Sequence, residues 1–182
     1  MAHENQIQFC SKVKYMFPEY FHNVNVCDIG SLDINGNNHY LFENYTYIGI
    51  DVGRGKNVNI VCKGHEYKPV TEYKYDLVIS TECFEHDMYW NKTMMNAIEN
   101  LIRPGGMFLF TCATTGRPEH GTARTQPFDS PFTSELGVWS DYYMNLTEQD
   151  VREKIDLDTW FSAYHFYICD ESHDLYFWGI KK

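Results

Sequence analysis

Four groups of residues in this chain have the types and spacing to do chemistry. The first is Gly30, which closes the apolar run Val24 to Ile29. A glycine there lets the backbone approach a ligand, because it has no Cβ and tolerates unusual dihedrals. The second is Asp51, which ends the run Tyr45 to Ile50. It follows Gly30 by about 20 residues, the spacing at which an acid reaches ribose hydroxyls, and a carboxylate can accept both hydroxyl protons. Ordinary strand-end turns would explain either residue alone; together they point to a ligand containing a nucleoside. The third group, Glu82, Glu85 and His86, follows the run Tyr75 to Ser80. The fourth is Arg117-Pro118-Glu119-His120-Gly121, where a guanidinium, a carboxylate, an imidazole and a flexible glycine sit together. A histidine suits a general base because its pKa is near neutral. His120 ranks slightly above His86, since it lies in a long loop that could close over a pocket. The plainer alternatives are a helix-start carboxylate with a packing imidazole for Glu85-His86, and a solvated loop for the fourth group. Trp139, Tyr142 and Tyr143 follow; they can wall a substrate pocket or pack on a sheet.

These groups share a site only if a scaffold brings several strand ends to one rim. Ile7 to Phe17 reads as an N-terminal helix ended by Pro18. Val24–Ile29, Tyr45–Ile50, Asn57–Cys62, Tyr75–Ser80 and Met107–Cys112 read as five strands. A short helix is expected at about Asn38 to Glu43, after an Asn35-Gly36 turn. Met94, Met95, Ile98 and Leu101 give Asn91–Leu101 a helical period, and Arg103-Pro104-Gly105-Gly106 breaks it. Gly116 to Gly137 is a long irregular segment, a kind usually functional or mobile. Thr147 with Asp150 forms an approximate capping box. Tyr164–Cys169 and Leu175–Ile180 read as a hairpin around the polar loop Asp170 to Asp174. Strands separated by helices and loops imply an α/β, doubly wound, mostly parallel sheet, with the C-terminal hairpin supplying an antiparallel strand.

Bulk properties narrow the function. With 182 residues and 43% hydrophobic content, the chain suits one packed domain spanning 1–182. Its formal net charge of -10 and the lack of a Lys/Arg cluster argue against general nucleic-acid binding. No apolar run is long enough for a membrane span, and the N-terminus is polar, so a cytoplasmic protein is expected. None of the six cysteines pairs in a C-x-x-C spacing. Cys27, Cys62, Cys83 and Cys112 lie in or beside apolar runs and read as buried, reduced thiols. His22, His39, His165 and His173 are scattered, and no metal site is expected.

The stretches VCDIGS (26 to 31), YIGID (47 to 51), VCKGHE (61 to 66), YDLVISTECFEH (75 to 86) and LIRPGGMFLFTC (101 to 112) resemble the class I S-adenosylmethionine (SAM)-dependent methyltransferases of the type 11-like kind. The last two are the most specific. The resemblance implies a Rossmann-like fold, SAM as cofactor and S-adenosylhomocysteine (SAH) as product. Carried over, it places Asp28, Gly30 and Ser31 against the methionine part of SAM. Asp51 would hold the ribose and Val52 would pack on the adenine. Gly64 and His65 would meet the adenine edge, and Ser80, Thr81 and Glu82 would lie under the sulfonium and carboxylate. Methyl transfer to a hydroxyl or amine needs a group to take up a proton, and their places at the strand-four exit and in and after the loop that follows strand five make His120, His86 and Glu82 candidate catalytic groups, and Arg117, His120, Trp139 and Tyr143 candidate acceptor contacts. Two departures stand out: Leu32 and Ile34 occupy positions where the family pattern has glycines, and Lys63 sits where many members carry an acid. The acidic balance favours a small-molecule or sugar-like acceptor, methylated on O or N. The alternatives are a SAM-binding partner subunit without catalysis, and an NAD-dependent oxidoreductase, which the missing G-x-G-x-x-G disfavours.

Overall fold

The computed structural model of the protein describes residues 3–69 and 74–182. Its helices are α1 (Glu4–Met16), α2 (Trp90–Asn96), α3 (Pro131–Ser134), α4 (Glu148–Lys154) and α5 (Leu157–Trp160). Its strands are β1 (Asn25–Ile29), β2 (Thr46–Asp51), β3 (Ile60–Val61), β4 (Tyr75–Thr81), β5 (Ile102–Ala113), β6 (Phe161–Cys169) and β7 (Asp174–Lys181). The strands form one seven-stranded sheet in the order β3-β2-β1-β4-β5-β7-β6. β1 to β5 pair in parallel. β7 runs antiparallel between β5 and β6. This is the doubly wound, mostly parallel arrangement expected from the sequence.

Side-chain alternation along the central strands splits the core into two layers. Val26, Leu77, Ile79, Met107 and Leu109 face α1 and pack with Phe9, Cys10, Val13 and Leu41. Cys27, Val78, Phe108 and Phe110 face the other way and pack with Met94, Ile98, Val151 and Leu157. Both faces of the sheet are therefore covered, which is why its strands read as continuous apolar runs. None of the helices in the described residues is long and apolar enough to cross a membrane.

Local chemistry explains where the elements begin and end. His3 stands at the N-cap of α1, its ring Nδ1 3.4 Å from the Gln6 amide. The capping box at Thr147 and Asp150 is present in both directions. α2 widens into a π-helical stretch at Ala97–Leu101. The buried ammonium of Lys181, near the end of β7, then donates to the carbonyls of Ile98 and Ile102 (2.5 and 3.1 Å).

Four sequence expectations are corrected. Strand three spans only Ile60–Val61, because Asn57 adopts a left-handed turn (φ 70°) and its amide bonds Ser31 O and the Tyr47 hydroxyl. The helix expected near Asn38 to Glu43 is a single 3-10 turn, His39–Leu41. Arg103 to Gly106 does not precede strand five but lies within it: Ile102 already pairs with Tyr75, and the register shifts before Met107 meets Leu77. Cys62 and Cys83 are half-buried, while Cys27 and Cys112 are buried as expected.

The terminal hairpin contributes core as well as topology. Phe177 is 1% exposed and stacks on Phe110 at 5.0 Å, with Phe166 at 4.7 Å. Phe177→Ala should therefore cost about 3–5 kcal/mol in denaturant unfolding. Ile168→Ala, at a side chain 62% exposed, should cost less than about 0.5 kcal/mol. Equal losses from the two variants would contradict this assignment of the core.

Candidate active site

The carboxyl ends of β1, β2 and β4 open into a cleft of about 930 Å³, a figure that includes its open mouth. Gly30, just past β1, has φ 77°, and a Cβ there would overlap the Cys83 side chain. The amides of Gly30 and Ser31 both donate to Ile50 O (2.9 and 3.1 Å), which binds the β1 exit to β2. Asp51 completes the junction, accepting from the amides of Leu32 (3.1 Å) and Val52 (2.7 Å). Burial raises its pKa, and these backbone donors oppose the rise.

The loop after Ser31 lacks the family glycines but is held by other means. Asp33 accepts from the Gly36 amide and the Asn37 side chain (2.9 Å each) and pairs with Lys56 at 2.7 Å. Asn38 returns from this loop to the strand ends, donating to Asp28 Oδ2 (2.9 Å) and Thr81 Oγ1 (3.1 Å). The Tyr47 hydroxyl also donates to Asp28 Oδ2 (2.5 Å), while Oδ1 is buried without a hydrogen-bond partner. Burial pushes Asp28 up to about 7, against the pull of the Tyr47 and Asn38 bonds.

Of the ten residues expected at a cofactor, eight line the cleft: Asp28, Gly30, Ser31, Asp51, Val52, Gly64, Thr81 and Glu82. Two do not. Ser80 is fully buried and its hydroxyl donates to Ile29 O (2.8 Å), so it braces the floor from below. His65 packs its ring on Tyr89 at 4.8 Å and lies outside the lining. Residues the sequence did not single out also contribute. Asn38, Cys83, Asp87 and the segment Asp129 to Thr133 line the cleft, and the Phe132 ring packs against Gly53 and Gly55. The long irregular segment does reach the cleft, but through Asp129–Thr133 rather than through Arg117 to Gly121, and Trp139, just beyond the segment, also lines the cleft.

The expected acceptor residues separate into layers. His86 and Trp139 face the cleft. His120 and Tyr143 stand behind His86, with ring centroids 5.0 and 5.6 Å from it. Arg117 is turned to the hairpin, donating to Ser172 O (2.6 Å) and Asp174 (3.2 Å). Glu119 is taken by a two-pronged pair with Arg124. Glu85 is fully buried. Burial holds both His86 and His120 below the ordinary histidine pKa and Glu85 above the ordinary carboxylate range. The two rings are therefore neutral near pH 7.

No family model matches the chain, and no curated protein matches it in sequence. Solved structures do match it in fold. One is the 1,6-didemethyltoxoflavin-N1-methyltransferase of Burkholderia thailandensis, with 1,6-didemethyltoxoflavin and SAH bound. It is 14% identical with a TM-score of 0.64, covering 97% of this chain and 78% of that one. Another is the N-methyltransferase NodS of Bradyrhizobium japonicum WM9, 13% identical, TM-score 0.58, covering 97% and 96%. A third is the phosphoethanolamine N-methyltransferase 2 of Haemonchus contortus in complex with SAM, 14% identical, TM-score 0.63, covering 96% of this chain and 52% of that one. The chain thus has the fold of the class I SAM-dependent methyltransferases, as its sequence motifs implied.

An ion-pair cluster ties α1 to this site. His3 Nε2 lies 3.0 Å from Asp174 and 3.5 Å from Glu82, which sits in the left-handed region (φ 52°). Burial lowers the His3 pKa, but the bonds and charges of Asp174 and Glu82 outweigh it and bring it up to about 9. A histidine raised in the folded state stabilises fully below its unfolded pKa and loses that contribution as pH rises through the folded value. The stability gap between wild type and His3→Gln should therefore be largest below pH 6.5 and shrink towards pH 9. A gap that stays constant across that window in thermal melts would contradict the ion pair.

Proposed function

We propose that the cleft binds SAM and that the protein, read as one domain over residues 1–182, transfers its methyl group to O or N of a small-molecule or sugar-like acceptor. The observation that carries this reading is the charge of the lining. Five carboxylates face the cleft (Asp28, Asp51, Glu82, Asp87 and Asp129), and among the described residues no Lys or Arg does. SAM brings two positive groups, a sulfonium and an ammonium, and suits such a surface. The pyrophosphate of NAD would bring negative charge into the same space, so an oxidoreductase is disfavoured on electrostatic grounds.

Within this reading Asp51 takes the ribose hydroxyls, Val52 packs on the adenine and the Gly64 backbone meets its edge. The unpartnered Asp28 Oδ1 is directed to the ammonium, with Gly30, Ser31, Thr81 and Glu82 around the methionine part. Methyl transfer is an in-line displacement: an acceptor lone pair attacks the methyl carbon as the carbon–sulfur bond breaks. His86 is the polar group at the acceptor end, with His120 and Tyr143 behind it and Trp139 at the rim. The buried polar groups gathered there favour an active enzyme over a partner subunit that only binds SAM. Support for a small acceptor comes from the overall charge and from fold neighbours that methylate small molecules.

Calorimetric titration should detect SAM and SAH binding and no NAD binding. Asp51→Asn should leave the fold intact and weaken SAH by roughly tenfold or more, since a hydrogen bond to a charged group contributes about 1.5–3 kcal/mol. NAD binding without SAH binding would overturn the cofactor reading. An affinity change below about twofold in Asp51→Asn would remove Asp51 from the ribose site.

A further inference from the structure

The wall behind His86 holds an unusual concentration of unsatisfied ligating atoms. Glu85, His86 and His120 are all buried, and each offers one ligating atom such that the three lie within 4.8 Å of one another. Glu85 is 0% exposed, and neither carboxylate oxygen has a hydrogen-bond partner. Its nearest basic group among the described residues is His86, whose Nε2 lies 3.9 Å from Oε1. His86 Nδ1 and the Tyr143 hydroxyl are also buried without partners. Leaving such groups unpaired is costly, and a cation among them would satisfy several at once.

The geometry of His120 points the same way. Its Nδ1 lies 3.1 Å from Pro118 O, which can only accept, so Nδ1 carries the proton and Nε2 keeps its lone pair. A ring N–H given to a carbonyl is what commonly fixes the tautomer and orientation of a metal-binding imidazole. The next residue, Gly121, has φ 64°, and a Cβ there would overlap the His86 ring. The loop is thus fitted closely enough to bring together two imidazoles that lie before and after strand β5 in the chain, with ring centroids 5.0 Å apart.

We propose that Glu85, His86 and His120 bind a divalent first-row transition-metal ion at the acceptor end of the cleft. Two imidazoles and one carboxylate suit zinc, cobalt or iron, whereas magnesium and calcium prefer oxygen donors throughout. Ligands of a tetrahedral ion stand roughly 3.4 Å apart, so side-chain rotations that draw the three ligating atoms together from within 4.8 Å would close the set. Three protein ligands leave a position open for a further donor, and the acceptor molecule is the candidate to fill it. This last step rests on the reading that the acceptor meets His86. The other grouping of His and carboxylates, His3 with Glu82 and Asp174, does not compete, because His3 and Arg117 already supply its counter-charges.

The test uses the whole protein, stripped with a chelator and titrated with Co(II), with visible absorption reporting the ion's ligand field and Zn(II) as competitor. SAH affinity is measured on the same samples. One Co(II) should bind per chain and be displaced by Zn(II). Glu85→Gln and His120→Asn should each weaken uptake by about 100-fold or more while leaving circular dichroism and SAH affinity unchanged. A protein that binds SAH but takes up no Co(II) or Zn(II), or whose uptake survives both substitutions, overturns the metal site and leaves the cofactor reading intact. Co(II) uptake without SAH binding would do the reverse. Because the wild-type titration decides by itself, a variant that failed to fold would not rescue the proposal.

Discussion

The site depends on one close approach of backbone to side chain. β1 and β4 are neighbours, yet the sheet grows away from them in opposite directions, to β2 and β3 on one side and to β5, β7 and β6 on the other. At such a switch point the chains leaving the two strands part, and a crevice opens between them. Here they part at Gly30 and Cys83, which stand too close for any Cβ on Gly30. The left-handed turn at Gly30 (φ 77°) aims the following loop over β2, where Asp51 captures the Leu32 amide. Loop, acid and cleft floor are thus one hydrogen-bonded unit, and the rest of the cleft is built outward from it.

Most of this unit was legible in the sequence. Gly30 and Asp51 each end an apolar run, and the period of those runs assigns the strands that carry them. What the sequence did not disclose depends on long-range partners. The loop after Ser31 departs from the family pattern, and Asp33, Asn38 and Lys56 hold it through bonds that no local spacing announces. Ser80 lies on the expected strand, but its hydroxyl meets Ile29 O, and facing the cleft or the floor depends on such a neighbour. His65 was diverted by the aromatic rings of Tyr89 and Trp139. The composition of Gly116 to Gly137 marks it as a long irregular segment, of a kind usually functional or mobile. Which part of it reaches the cleft was settled by Phe132 packing on Gly53 and Gly55, a contact between glycines and an aromatic ring with no sequence signature.

Charge organises the space that topology opens. Of the five carboxylates in the lining, Glu82 is paired to His3 at the edge, where Asp174 meets His3 and Arg117, while Asp28, Asp51, Asp87 and Asp129 have no salt-bridge partner among the described residues. Behind His86 the character changes: two imidazoles held neutral by burial face a carboxylate without a partner. On the proposed reading, a cationic cofactor and a polar acceptor end would therefore occupy different electrostatic environments within a single cleft. Methyl transfer requires such a division, because a positive sulfonium must be held while a lone pair is presented to it.

The most direct measurement is a crystal structure with SAH. The account predicts the ribose hydroxyls within hydrogen-bonding distance of Asp51, the adenine beside Val52 and Gly64, the ammonium near Asp28, and the sulfur directed to the His86 wall. A nucleoside bound away from Asp51, or a sulfur turned away from His86, would contradict it.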